Sequence, residues 1–366
     1  MRSSIHSRRH RPAAVFATGL AALLCLATPA RAADYASVNA AVAEAHILPA
    51  YDALAEAGTA LAAATDSYCA ADAPLADARQ ALAAFRRSWA GAEHLRFGPA
   101  ELGMRSLRIN FWPQARGKVA DALSSALAKA EEEGGDMDVA RQSFAVQGVP
   151  ALDALFNGDD SAAPGTPRCD LARAIAGNAA RMTNAIRDEW TGGNTPYLAA
   201  FTTPGTGALP FEGHADATLA LFKSLHDELS RILALKIEPA LGKTPADARP
   251  SHVEGLAPEA ALDTIRANLA ALEALYQGPD GTGLAALAGQ SVTDTALAPL
   301  MDKAFSKTRA TADSIALPLA DAVTDAEERK KVEHLATQLR ALRQIVGTRL
   351  AEALGLSVGF NSLDGD

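Results

Sequence analysis

Residues 146–160 read VQGVPALDALFNGDD. Val149, Leu152, Leu155 and Phe156 fall three or four positions apart, the spacing of one face of a helix. Pro150 fits the first turn of such a helix, where its missing N–H has no intrahelical partner and its φ is already set. The spacing therefore predicts a start near Val149, with V-Q-G as a break inside a helical run over 139–156. Asp153 lies in the early turns, where the positive end of the helix favours a carboxylate.

The same periodicity extends in both directions. Alanine and leucine dominate, and β-branched and aromatic residues are scarce. Helices are predicted over 35–66, 74–97, 114–133, 139–156 with its break, 169–191, 213–239, 258–277, 292–317 and 324–355. Pro74, Pro113, Pro258 and Gly278 mark ends or starts, and Asp170 and Thr324 are expected N-caps. The fold class is all-α, with two helical-bundle domains over 33–205 and 206–366. The boundary falls in GGNTPYLAAFTTPGTGALPFEG, 192–213, which is rich in turn residues. GVPALDALFNGDD from Gly148 lines up with NLAALEALYQGPD from Asn268 at an offset of 120, as an internal duplication would leave it.

The first 32 residues are expected to be a signal peptide. Arg2, Arg8, Arg9 and Arg11 precede the apolar run AAVFATGLAALLCLA, and Ala30-Arg31-Ala32 is a small-x-small cleavage site. The run is too short for a comfortable membrane span, which disfavours an uncleaved anchor. Cys25 follows Leu24 where a lipoprotein signal has a small residue. The expected location is the periplasm, with no transmembrane helix after cleavage. Removing the five arginines of this segment leaves 29 basic and 43 acidic side chains, a balance of −14. That excludes nucleic acid as a partner, because phosphate binding needs a basic face. Two cysteines remain, and an even count in an exported chain predicts a Cys69–Cys169 disulfide; two separate buried thiols are the alternative.

Motifs for chemistry are sparse. None of the six mature histidines has an Asp, Glu, His or Cys three or four residues away, and H-E-x-x-H is missing. The i+2 pair His252/Glu254 suits a loop. There is no G-x-S-x-G elbow and no lone reactive cysteine. Three stretches are unusual for plain bundle helices: WAGAEHLRFGP (89–99), RINFWP (108–113) and the tail LGLSVGFNSLDGD (354–366). Their aromatics either plug the bundle ends or line a pocket there. His94 and Arg96, beside the Phe-Gly-Pro stop, either cap a helix or line a cleft.

These stretches together resemble the imelysin family. Trp89 through Pro99 is similar to its tryptophan helix running into F-G-P, and Phe111-Trp112-Pro113 to its W-P segment. Gly148 through Gly158 falls on its G-x-H-x-x-E helix. Gly359, Phe360, Asn361, Asp364, Gly365 and Asp366 match its C-terminal G-F-N-x-x-D-G-D. The resemblance implies an exported protein of two helical bundles with its functional site near their interface. The family takes in a metallopeptidase and proteins linked to iron uptake. This chain departs at the decisive point: Pro150 replaces the histidine and Asp153 the glutamate. Proline offers a metal no lone pair. A structural role suffices for Pro150 and Asp153, and a metal-ligand role is left to Asp153 alone. The expected ligand-binding set in the interface cleft is His94, Arg96, Gly148, Pro150, Asp153, Asn361 and Asp364. The expected function is a non-enzymatic periplasmic binding or accessory protein linked to iron uptake. Its partner would be a small ligand, an iron or other divalent metal ion, or an envelope protein. The alternatives are a metallopeptidase and an envelope interaction scaffold.

Overall fold

Apolar residues three and four apart become helices wherever proline, glycine or a capping side chain does not interrupt them. The computed structural model describes residues 34–115, 117–133, 138–192, 196–205, 210–290 and 294–356, and among them there is no strand. The helices are α1 (35–69), α2 (Leu75–Ala92), α3 (Arg105–Ile109), α4 (Lys118–Glu133), α5 (Val149–Asn157), α6 (Pro167–Thr191), α7 (Tyr197–Thr202), α8 (214–241), α9 (Ala260–Gln277), α10 (Leu284–Ala288), α11 (Leu297–Ser314), α12 (Leu319–Ala322) and α13 (328–353). The first 32 residues, expected to be a signal peptide, and the tail residues Asn361 and Asp364 lie outside the described residues.

Several boundaries differ from the expectation for local reasons. The segment 139–147 is two 3₁₀ turns, Val139–Arg141 and Phe144–Val146, and not α-helix. Asp138 and Ser143 accept from the Ala140 and Ala145 N–H groups and close these turns early. The predicted start at Val149 holds, with Gly148 at the N-cap and Pro150 in the first turn. Asp170 is not a cap: Thr166 holds that position ahead of Pro167, and Asp170 sits in the first turn of α6. Thr324 is not one either, since Asp325 Oδ1 accepts from the N–H groups of Glu327 and Glu328 at the start of α13. The glycine- and proline-rich stretch after residue 192 contains the short helix α7.

Among the described residues, three helices contain a π turn: Ala43–Ile47 in α1, Ile232–Ile237 in α8 and Val346–Leu350 in α13. The first two have a cause in the sequence. Pro49 and Pro239 follow them closely, and a proline inside a helix removes an i→i−4 bond and crowds that carbonyl, so the turn before it widens.

α1 packs along α2 and α6, α2 packs on α9, α9 on α11, and α11 on α13. The start of α1 packs on α8. Helices from before and after residue 205 thus share one continuous apolar core, and the described residues cluster as one compact unit. Cys69 at the end of α1 and Cys169 in the first turn of α6 form a disulfide 100 residues apart in sequence. Closing a loop of that length stabilises the fold by about 4–5 kcal/mol in the chain-entropy model. No described helix is long and apolar enough to cross a membrane.

Candidate functional site

A cleft of about 780 Å³ lies between the start of α5, the stretch after α3, α8 and the loop 250–256. Pro150 and Asp153 line it from α5, and Trp112, Leu235 and Pro239 supply apolar wall. Asn110, His252 and Glu254 add polar groups. A second cavity of about 470 Å³, with Arg79, Arg87 and Asn157 in its lining, shares Arg86 and Leu256 with the first.

Asp153 is committed to structure on both oxygens. Its Oδ1 is 2.9 Å from Arg86 Nη2 and accepts from Asn157 Nδ2 at 2.8 Å. Its Oδ2 accepts from the Leu256 N–H at 2.6 Å. Both charged side chains are buried. Gly255, at φ 86°, lets the loop turn tightly enough to deliver that N–H; a Cβ there would meet Asp153 Oδ2 at 3.4 Å and Ala260 Cβ at 2.7 Å.

Of the other expected site residues, the described ones, His94, Arg96 and Gly148, do not line this cleft. Gly148 is a packing position: a Cβ would fall 2.1 Å from the Ile109 carbonyl oxygen and 2.3 Å from that of Arg108. Arg96 is exposed, 3.8 Å from Glu101. His94 is buried, and its Nε2 lies 2.8 Å from Nε2 of His46, which sits on the π turn of α1. The aromatics divide between the two roles expected of them. Trp112 lines the cleft, Trp89 is core, and Phe97 stacks in a cluster with Trp190 and Phe201.

Behind the cleft lies a buried polar network. Glu254 Oε1 accepts from Asn110 Nδ2 at 2.7 Å, and its Oε2 is 3.3 Å from Lys236 Nζ. Lys236 donates to Glu93 and, at 3.0 Å, to Asn268 Oδ1. Asn268 Nδ2 donates to Glu93 Oε1 at 2.7 Å and to the Ala90 carbonyl at 2.7 Å. Glu228, 1 % exposed, has no hydrogen-bond partner on either oxygen; Arg231 Nε is 3.3 Å away but misaligned. Burial alone would raise Glu93, but Lys236 outweighs it and holds that carboxyl below its usual range. Burial would lower Lys236, but Glu254 and Glu93 hold its ammonium above its usual range.

Burial, reinforced by the charge of Glu93, pushes Glu228 up to about 8. Burial pushes His46 down to about 4 and His94 well below its usual value, the latter aided by His46. The signs oppose. Folded Glu228 keeps its proton where the unfolded chain has lost it, so its contribution is full below the unfolded carboxyl value and is lost as pH rises through about 8. The histidines stay neutral in the fold where the unfolded chain charges them, so stability falls as pH drops below the usual histidine range toward about 4. Thermal melts across pH are expected to peak at about pH 6.5. Glu228→Gln should flatten the alkaline limb and leave the acid limb; an unchanged alkaline limb would contradict this assignment.

The periodicity contained a signal for these residues that a motif search misses. Lys236 and Asn268 are polar residues on otherwise apolar helix faces, Lys236 among Ile232, Leu233 and Ile237 and Asn268 among Ile265, Leu269 and Leu272. His46 and Lys236 each stand three residues before the proline that widens their helix. The pair His252/Glu254 was legible, and both line the cleft. Among the described residues no three His, Cys, Asp or Glu side chains are placed to hold a metal ion, and Asp153 is occupied by Arg86, so the donor set does not fit a resident metal.

Comparisons with known proteins match this architecture. The family model described as Peptidase_M75: Imelysin matches residues 47–346. An imelysin-like protein from Psychrobacter arcticum 273-4 superposes with a TM-score of 0.70 at 24% identity, covering 89% of this chain and 97% of that one. A "putative iron-regulated protein A precursor" from Parabacteroides distasonis ATCC 8503 also superposes with a TM-score of 0.70, at 17% identity over 86% and 95% of the two chains. At those identities the likeness speaks for the fold alone. No curated protein matches the chain.

Proposed function

Because the chain belongs to the imelysin family through the match over residues 47–346, we propose that it is an exported, non-enzymatic binding protein of that family, acting in the periplasm in connection with iron uptake. One observation carries the non-enzymatic part. At the cleft the family's histidine position holds Pro150, and the neighbouring acid is already neutralised by Arg86. A zinc-type hydrolytic centre needs about three protein ligands and a base. A proline ring and a paired carboxylate supply neither. The cleft keeps an apolar wall with a few polar groups, the build of a small-molecule site. The name of the Parabacteroides protein supports the iron connection. The basic head, apolar run and Ala30-Arg31-Ala32 support export.

The test combines two measurements on the exported protein. Incubation with unfolded casein, with and without a chelator, should give no chelator-sensitive cleavage. Native mass spectrometry after exposure to a periplasmic extract should show a bound small molecule, lost when Pro150→Trp adds bulk to the cleft lining. Cleavage that stops on chelation would overturn the non-enzymatic reading, and a chain that emerges without any adduct would overturn the binding reading.

A further inference from the structure

Three arginines meet in the smaller of the two cavities, on a chain of formal net charge −9. Arg79, Arg86 and Arg87 recur at helical spacing along one side of α2, and all three line this cavity of about 470 Å³. Glu259 is the one carboxylate in the same lining. The opposite wall is formed by Asn157 at the end of α5 and by residues 256–259, which lead into the N-terminus of the 18-residue helix α9. The unpaired N–H groups at such an end add positive potential.

The arginines have donors in excess of their partners. Arg86 is 4 % exposed and lies 2.9 Å from Asp153, yet neither its Nε nor its Nη2 has an aligned hydrogen-bond acceptor among the described residues. A buried donor left without an acceptor is costly, and more so on a charged group. Arg79 uses its Nε on the Phe156 carbonyl at 2.9 Å and forms no ion pair among the described residues. That bond holds one edge of its guanidinium and leaves both Nη groups. Arg87 meets Asp263 at 3.6 Å, and Asp263 also lies 3.8 Å from Arg266. Planar guanidinium groups present paired N–H donors that match two oxygens of a carboxylate or phosphate.

We propose that this cavity is a binding site for a small oxyanion, a carboxylate or a phosphate group, held by Arg79 and Arg87 beside the buried guanidinium of Arg86. Asp153 builds the site without occupying it. It balances the charge of Arg86 and accepts from the Leu256 N–H, so it fixes one arginine and the facing loop together. Leu256, 57 % exposed, gives the carbon body of an organic anion an apolar surface next to the arginines. The cavity shares Arg86 and Leu256 with the cleft but takes the anion on Arg79 and Arg87, which do not line the cleft. The inference does not depend on what the cleft binds.

The experiment is calorimetric titration of the exported chain, in low-salt buffer free of other oxyanions, with succinate in one arm and inorganic phosphate in the other. At least one of the two should bind at one per chain in the millimolar range or tighter, and the arm that binds identifies the oxyanion. Arg79→Gln and Arg87→Gln should each weaken that binding by about tenfold, the loss expected for one charge-assisted contact. Arg141→Gln, which removes the same charge from a side chain 87 % exposed and outside the cavity, should leave it unchanged. Arg87→Gln breaks no backbone hydrogen bond and keeps the test valid should Arg79→Gln loosen the contact with Phe156. The proposal is overturned if neither anion binds at one per chain, if both cavity variants bind as the parent does, or if Arg141→Gln weakens binding as much as they do.

Discussion

Gly148→Ala should unfold or severely destabilise this protein, by about 3 kcal/mol or more, the upper end for overpacking. The added methyl would lie 2.1 Å from the Ile109 carbonyl oxygen and 2.3 Å from that of Arg108. Those are backbone atoms at the end of α3, so no side chain can rotate to make room. Either α5 lifts from α3 or the stretch after α3 moves, and both shifts open the cleft. The matched control is Gly91→Ala, near the end of α2. A Cβ at Gly91 meets nothing within 4 Å, and alanine is the better helix former by about 0.5–1 kcal/mol, so that variant should be neutral or stabilised. Urea unfolding of the two variants decides the matter: equal midpoints would show that Gly148 is not a contact position.

Asp153→Ala should cost about 3–5 kcal/mol, because it leaves the Arg86 guanidinium buried without a counter-charge. It also removes the acceptor of the Leu256 N–H and of Asn157. Arg86→Met should cost nearly as much by stranding the carboxylate. The double variant should lose much less than the sum, since removing both charges removes the need for pairing. Additive losses would mean that the two side chains act independently. The same series weighs the metal-ligand role that the sequence left open for Asp153. A residue kept for a ligand would give a variant of near-parental stability with altered binding; a residue kept for Arg86 gives the destabilisation described here.

The chain's periodicity was enough for the class of fold. Leucine and alanine three and four apart, with proline and glycine at the interruptions, fixed where nearly every long helix runs, because helix formation answers to neighbours within a turn. It also placed Pro150 correctly in the first turn of α5, and an even cysteine count predicted the disulfide. Local pattern failed where side chains capture the backbone, as at Asp138 and Ser143, since one local side-chain hydrogen bond outweighs a weak helix preference.

The site depended on tertiary structure. Asp153 looked free in sequence because its partner, Arg86, is 67 residues away and its third contact is a loop N–H 103 residues on. The network of Glu93, Lys236, Glu254 and Asn268 draws on α8, α9, the end of α2 and a loop, and no spacing rule joins them. Helix identity is settled by contacts within about one turn, so a linear reading suffices for it. The pairing of a buried charge is settled by which helices pack together, and desolvation makes that pairing obligatory only once the core has closed.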